Sequence, residues 1–474
     1  WRRSLDCIRM TIPHLRSKLL RPLAGLPLLA LMLAGCGVSA GDATPTATVT
    51  PPAAAATPTP WGPTATPTPD LAVLLKDGGI AIIETAYDRL LDEYITPLEP
   101  RRLLDDGWVA MTQEAQTLGV QPPAQPAFDG DRTAAFEAFR SAYVPMANST
   151  GDPTKLRHAV IRGMSQSLAD CHTFFLSPVL SDTLNDTRAG KGSVGIGVEL
   201  ASVPPLVTEV ITGGPAALAG IRVGDRIASI GGADASGFGP AAAYDLINGD
   251  EDTTVQLQMR RGAELIDLTL TRRRVNPPNV DFRTINEAIG YVRIRNFVDG
   301  GVNGDLRAVL EDFERRGIGG WIIDLRCNPG GRLDVEAISL FVKEGAVVKA
   351  RGRDGAIEEN RASGGVLATL RPTVLLTNNQ TGSVSEVFAA ALQEYDIAYV
   401  IGASTNGCVG YTNVQFFGDG SSLAVTTHVN LGPVSDTVLN GAGVVPDEVV
   451  ARTQDDIANA RDPQLDAAVA YLAR

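Results

Sequence analysis

The stretch Gly319–Gly331, "GGWIIDLRCNPGG", decides the fold of this 474-residue chain. Trp321, Ile322 and Ile323 form an apolar run that ends on Asp324, Leu325 and Arg326. A turn built from Asn328, Pro329 and two glycines follows. A short apolar run closed by turn residues reads as a strand buried on both faces, with a helix expected from about Leu333. The same order returns at 373–395, "TVLLTNNQTGSVSEVFAAALQEY", which reads as strand, polar turn and helix, followed by the strand "AYVIGAS". Upstream, "AIGYVRIRNF" reads as a strand and "GDLRAVLEDFERRG" as an amphipathic helix. This alternation predicts an α/β core over 276–474, with its site where strands turn into helices.

Working outward, residues 191–275 change character. "GSVGIGVELA", "PLVTEVI", "DRIASIGG", "TTVQLQMRR" and "ELIDLTLTRR" are short alternating strands separated by Gly, Pro and Asp. Before them, 71–190 reads as helical. "DLAVLLKDGGIAIIETAYDRLLDEYI", "TAAFEAFRSAYVPM" and "TKLRHAVIRGMSQSLADC" carry apolar residues at helical spacing, with Asp152 or Thr154 as a cap for the last. That piece closes on the polar corner Asp170-Cys171-His172-Thr173 before Phe174 and Phe175.

Residues 1–35 combine a basic start with the apolar run "PLAGLPLLALMLAG", a secretory-signal pattern too short for a comfortable membrane span. Its "LAGC" ending resembles a bacterial lipobox, which implies lipidation of Cys36, a membrane anchor and an extracytoplasmic place in the cell envelope. Residues 36–70 are dominated by Pro, Thr and Ala and read as an extended, disordered tether. Six basic residues and one acidic residue precede Cys36, so the remainder holds 35 basic and 53 acidic residues, a balance of −18. Such acidity argues against nucleic acid as a partner. No metal cluster, phosphate loop or cofactor motif is evident, and the oligomeric state is not encoded in any visible pattern.

Two strand-end turns can carry chemistry. Ser383 sits where a strand turns into the helix "EVFAAALQEY", and a helix N-terminus offers free N–H groups to a developing oxyanion. On spacing alone, Ser383 or Ser385 equally serves as an N-cap supported by Glu386. The turn at Asn328–Gly331 either supplies a further N–H or is only a tight turn.

The strand and turn order of 191–275, with "AGIRVGDRI", resembles a PDZ domain. Gly195, Ile196, Gly197 and Val198 match its carboxylate-binding loop, which implies peptide binding by strand addition. The succession of helical cap, PDZ, "DLRCNPGG", "TGSVSE", "GAGVVPD" and the tail "DPQLDAAVAYLAR" resembles the carboxy-terminal processing peptidases and their tricorn-core relatives over roughly 75–474. That resemblance implies a multidomain α/β protein with a crotonase-like β-β-α peptidase core. It implies Ser383 as nucleophile, and the N–H groups of Val384 and of Gly330 or Gly331 as oxyanion hole.

The processing peptidases place a lysine base about 25 residues after the serine, and Cys408 stands there, with Thr412 where a glutamine is expected. The Ser-Lys dyad is therefore absent. The tricorn-like branch takes a histidine from the helical cap, which implies His172 as general base; His158 and His428 have weaker claims. The third group is open between Cys171 and Asn440. If both geometries hold, Cys171 and Cys408 lie beside Ser383, and an exported body allows a disulfide between them. Cys327 is then expected to be unpaired and buried. The reading is a lipid-anchored serine endopeptidase acting on polypeptides through their C-terminal tails, with no cofactor. The alternative is a catalytically impaired binding or scaffold protein that holds an apolar ligand or peptide on the same fold.

Overall fold

A computed structural model describes residues 71–474 apart from 190–192, 202, 277, 299–300, 366, 368–370, 454–455 and 457–460. The leader, Cys36 and the Pro/Thr-rich segment lie outside the described residues.

The strand Gly320–Asp324 is buried along its whole length in a six-stranded sheet. The order is Val280–Ile285, Ile289–Ile294, Gly320–Asp324, Thr373–Thr377, Ala398–Gly402 and Glu448–Val449. Only the first pair is antiparallel. Alternate side chains feed two cores, as the period of a strand requires. Trp321, Ile323 and Leu325 pack with Leu306, Leu310 and Phe313 of the helix Val302–Arg315 and with Val387 and Phe388 of the helix Val384–Glu394. Ile322 turns the other way, with Val374, Leu376 and Ile401, onto Leu465 and Ala468 of the helix Pro463–Leu472. The uninterrupted apolar run is thus a strand covered on both faces.

The polar end of that strand is tied to the chain's last helix. Arg326 is buried and donates from Nε and Nη2 to the Asp324 carboxylate, from Nη1 and Nη2 to Asp462, and from Nη1 to Gln464. Asp462 is also the N-cap of the last helix, accepting from Leu465 N–H. Burial alone would raise the Asp324 carboxyl, yet the neighbouring guanidinium holds it below the usual carboxylate range.

A second, five-stranded sheet joins the helical part to the core. Its order is Phe174–Leu176, Ser422–Leu431, Ala346–Gly352 and Ile357–Arg361, with Gly410–Phe416 also paired to Ser422–Leu431. The helices Ile80–Glu93, Pro100–Thr117, Arg132–Ser149 and Pro153–Gln166 share one core with Leu423 and Val425 of this sheet and with Phe417 of the turn before them. The cap is therefore not a self-contained layer. Asp419, its side chain largely covered, adds a polar anchor, accepting from Arg157 and facing His158 Nε2 at 3.0 Å. Burial opposes its ionisation, but hydrogen bonds from His158, Ser421 and Arg157 hold its carboxyl well below the usual range.

Between cap and core stands a separate antiparallel sheet. Its order is Val198–Ala201, Leu206–Val210, Arg226–Ile230, Thr254–Arg261 and Glu264–Thr271, with its own apolar core. Glu209 of this domain pairs with Arg293 and Arg295 of the peptidase core.

Three local expectations change. The first helical stretch breaks at Gly78 and Gly79, both at positive φ, where the Gly78 carbonyl accepts from Tyr143 and Arg157. The helix expected from Leu333 is the short Val335–Ser339, capped by Asp334. Cys327 is partly exposed and not free, correcting the unpaired, buried residue of the sequence reading.

Removing Arg326 strands two carboxylates beside a buried strand end. Arg326→Met should lower stability by about 3–5 kcal/mol in urea denaturation, the usual cost of breaking a buried pair. A loss within about 0.5 kcal/mol, as at an ordinary surface site, would remove this network from the account.

Candidate active site

Ser383 stands where the strand Thr373–Thr377 turns into the helix Val384–Glu394. Its backbone has φ 56° and ψ −124°, a conformation a non-glycine residue holds only when its surroundings impose it. Those surroundings are explicit. The Ser383 N–H points at both the Cys408 carbonyl and Glu386 Oε2, each at 2.8 Å. Gly382 N–H donates to the Asn328 carbonyl, which also accepts from Ser385 Oγ. Ser385 is thus a structural group, and Ser383 is the serine whose hydroxyl is presented to the cap.

Buried Glu386 organises the loop that carries Cys408. Besides Ser383 N–H, its carboxylate accepts from Thr405 Oγ1 at 2.5 Å, Gly407 N–H at 2.7 Å and Cys408 N–H at 3.0 Å. Burial pushes this carboxyl up, and those four hydrogen bonds oppose the shift. The "GAGVVPD" segment supports the same loop: Val444 N–H donates to Thr405 Oγ1, and Gly441 N–H to the Gly407 carbonyl.

His172 arrives from the cap. Thr173 Oγ1 accepts from Thr426 N–H, and Phe174 begins the strand that pairs with Ala424. Asp170 fastens the corner by accepting from His172 N–H at 3.2 Å and Thr173 Oγ1 at 2.7 Å. The ring's Nε2 then lies 3.1 Å from Ser383 Oγ. Its Nδ1 lies 3.3 Å from both Cys171 Sγ and Cys408 Sγ. Those two cysteines form a disulfide with a Cα separation of 6.0 Å, joining cap to core across 237 residues. Burial holds the imidazole below the ordinary histidine value, opposed by the Asp170 charge. Nε2 can accept from Ser383 only if the ring proton sits on Nδ1, facing the sulfurs.

Neither expected third group is a carboxylate partner of the ring. Cys171 meets Nδ1 as half of the disulfide, while Asn440 Oδ1 accepts from Val409 N–H. The missed residue is Asp170, whose charge acts on the imidazole from two positions upstream. An acidic residue beside a candidate base was the legible signal for it. His158 is occupied with Asp419, and His428 Nδ1 lies 2.8 Å from Thr427 Oγ1.

Of the expected oxyanion donors, Gly330 N–H is engaged with Asn328 Oδ1 at 2.9 Å, which leaves Val384 and Gly331. Gly330 matters through its size. At φ 92°, a Cβ there would stand 2.6 Å from Ser383 Cβ and 2.8 Å from the Val384 nitrogen. On the PDZ side, Gly195, Ile196, Gly197 and Val198 line a cleft of about 500 Å³ that reaches Asn296, Pro329 and Gln380 of the core. A Cβ at Gly195 would stand 2.6 Å from Asn248 Oδ1, so a side chain there would have to displace the Asn248 amide. Ser383 and His172 are not among the residues lining that cleft.

Comparison with known proteins agrees with this architecture. The peptidase family S41 profile matches residues 288–450 and a PDZ domain profile matches 206–261. A carboxy-terminal-processing protease of Bartonella bacilliformis is 32% identical over 326 residues, 66% of this chain and 73% of that protein. Carboxy-terminal processing protease CtpA of Bacillus subtilis is 30% identical over 297 residues, and the match spans 62% of each chain. Among solved structures, the photosystem II D1 C-terminal processing protease is 26% identical with a TM-score of 0.51, covering 74% of this chain and 93% of that one. With its strand-end serine, its PDZ module and these relatives, the chain belongs to peptidase family S41, the carboxy-terminal processing serine proteases.

Proposed function

We propose that this protein is an exported, lipid-anchored serine endopeptidase in which Ser383 attacks the scissile carbonyl and His172 is the general base. The observation that carries this reading is the 3.1 Å approach of His172 Nε2 to Ser383 Oγ, made between residues 211 apart in the chain. A base must stand within hydrogen-bond reach of the proton it takes, and this one does. Nε2 accepts the Oγ proton as Oγ bonds to the carbonyl carbon, and the same proton later passes to the leaving amine. The Asp170 charge favours the imidazolium that forms between those steps. Val384 N–H, with Gly331 as its partner, faces the developing oxyanion.

The PDZ cleft supports recognition of a polypeptide C-terminus. Backbone N–H groups of Gly195–Val198 suit a terminal carboxylate, and the cleft leads from that loop toward the Pro329 turn. The basic and apolar leader ending at Cys36 supports export and anchoring at the cell envelope.

Hydrolysis of an unfolded protein by wild type, Ser383→Ala and His172→Ala tests the assignment. His172→Ala should lower kcat by about 10²–10⁴-fold, with Ser383→Ala at least as damaging. Equal rates in all three would turn the reading to a binding or scaffold protein. Because neutral His172 is the active form, kcat/KM should rise with pH along a limb below the ordinary histidine value of about 6.5. A limb centred well above neutrality would point to another base. Glu386→Gln would aim an amide N–H at the donors of Ser383 or Cys408. It should cost about 1–3 kcal/mol in thermal or urea unfolding and lower kcat more than it raises KM. An unchanged kcat would show that this carboxylate does not position the nucleophile.

A further inference from the structure

We propose that Cys171, His172 and Cys408, once their disulfide is reduced, form a binding site for a borderline-soft divalent cation such as Zn²⁺, and that the bound metal silences the Ser383 centre. The site stands on its own geometry. Only the inhibitory half rests on His172 being the general base.

The two sulfurs and His172 Nδ1 form the one group of potential ligands drawn together in this way among the described residues, all within 4.8 Å of one another. Nδ1 already lies 3.3 Å from each sulfur. Tetrahedral zinc, with Zn–S of about 2.3 Å and Zn–N of about 2.0–2.1 Å, sets nitrogen and sulfur about 3.5 Å apart and two sulfurs about 3.8 Å apart. The nitrogen–sulfur edges are therefore nearly in place, and only the sulfur pair must separate. Cys171 is exposed, so its side chain has room to turn and a water molecule can take the fourth position. The Cys408 loop cannot drift far, because Glu386 and the Ser383 N–H grip its backbone. A sequence motif for this site is invisible, since its ligands come from 171–172 and 408.

The chemistry is simple. A phosphine reductant breaks the S–S bond and leaves as the phosphine oxide; water supplies the oxygen, and each sulfur becomes a thiol. A divalent cation then displaces both thiol protons and takes the Nδ1 lone pair. The ring's remaining proton must move to Nε2, where it faces Ser383 Oγ as a donor. The acceptor for the serine proton is gone, although His172 has scarcely moved.

The test uses the full-length chain, reduced with a trialkylphosphine and cleared of it, beside the oxidised protein. Reduced protein should bind about one equivalent of Co²⁺ with thiolate-to-cobalt charge-transfer absorption that Zn²⁺ displaces. Hydrolysis by the reduced protein should fall about a hundredfold on adding Zn²⁺ and return with a chelator, while oxidised protein shows neither effect. Cys171→Ser should weaken Co²⁺ binding at least about tenfold, Cys171→Ser/Cys408→Ser should lose the absorption, and Cys327→Ser should keep it. Absence of the band in reduced wild type, or its survival in the double variant, overturns the site. Tight stoichiometric binding with hydrolysis intact overturns His172 as the base and leaves the metal site standing.

Discussion

The Glu386 carboxylate accepts from Ser383 N–H, Cys408 N–H, Gly407 N–H and Thr405 Oγ1, and the rest of the centre is arranged around it. A buried carboxylate without such donors would carry a desolvation cost of several kcal/mol, so the loop has little freedom to leave. One consequence is conformational: Ser383 is held at positive φ at the head of its helix, with its hydroxyl within 3.1 Å of His172 from the cap. The other is positional. Cys408 is kept with its sulfur 3.3 Å from Nδ1 of the imidazole.

The cap completes this arrangement through covalent and hydrogen-bonded links. The strand Phe174–Leu176 extends the second sheet, Thr173 is pinned to Thr426, and Asp170 closes the corner. In the chain-entropy picture, a disulfide closing a loop of this length removes on the order of 5 kcal/mol of freedom from the unfolded chain. Its local effect bears more directly on function. The pair of sulfurs occupies the space beside Nδ1 that a carboxylate fills in a Ser-His-Asp triad. Sulfur is a weak acceptor, so the ring is held by packing and by the backbone of its corner.

Much of this was legible in the sequence because it depends on local pattern. The double-faced burial of the strand within "GGWIIDLRCNPGG" follows from its apolar run and turn residues, and the sheet around Gly320–Asp324 bears it out. The expected pairing of Cys171 with Cys408 is present. The helix Pro100–Thr117 lies inside the helical stretch 71–190, with Leu104, Trp108, Met111 and Ala115 at helical spacing. The second sheet was harder. Its strands are far apart in sequence and join the cap to the core by long-range pairing that no local period encodes. Arg326 and Asp462, 136 residues apart, illustrate the same limit: each motif was visible, but not that one closes on the other. The local pattern marks Glu386 as a cap, and only its contacts across the Cys408 loop reveal its wider role.

The central claim is that Ser383 is activated by His172 alone, without a lysine. Labelling with a fluorophosphonate, followed by mass mapping of the modified residue, tests it most directly. Wild type should be modified at Ser383, and His172→Asn should react too slowly to detect under the same conditions. Labelling of His172→Asn at the wild-type rate, or modification at a residue other than Ser383, would contradict it.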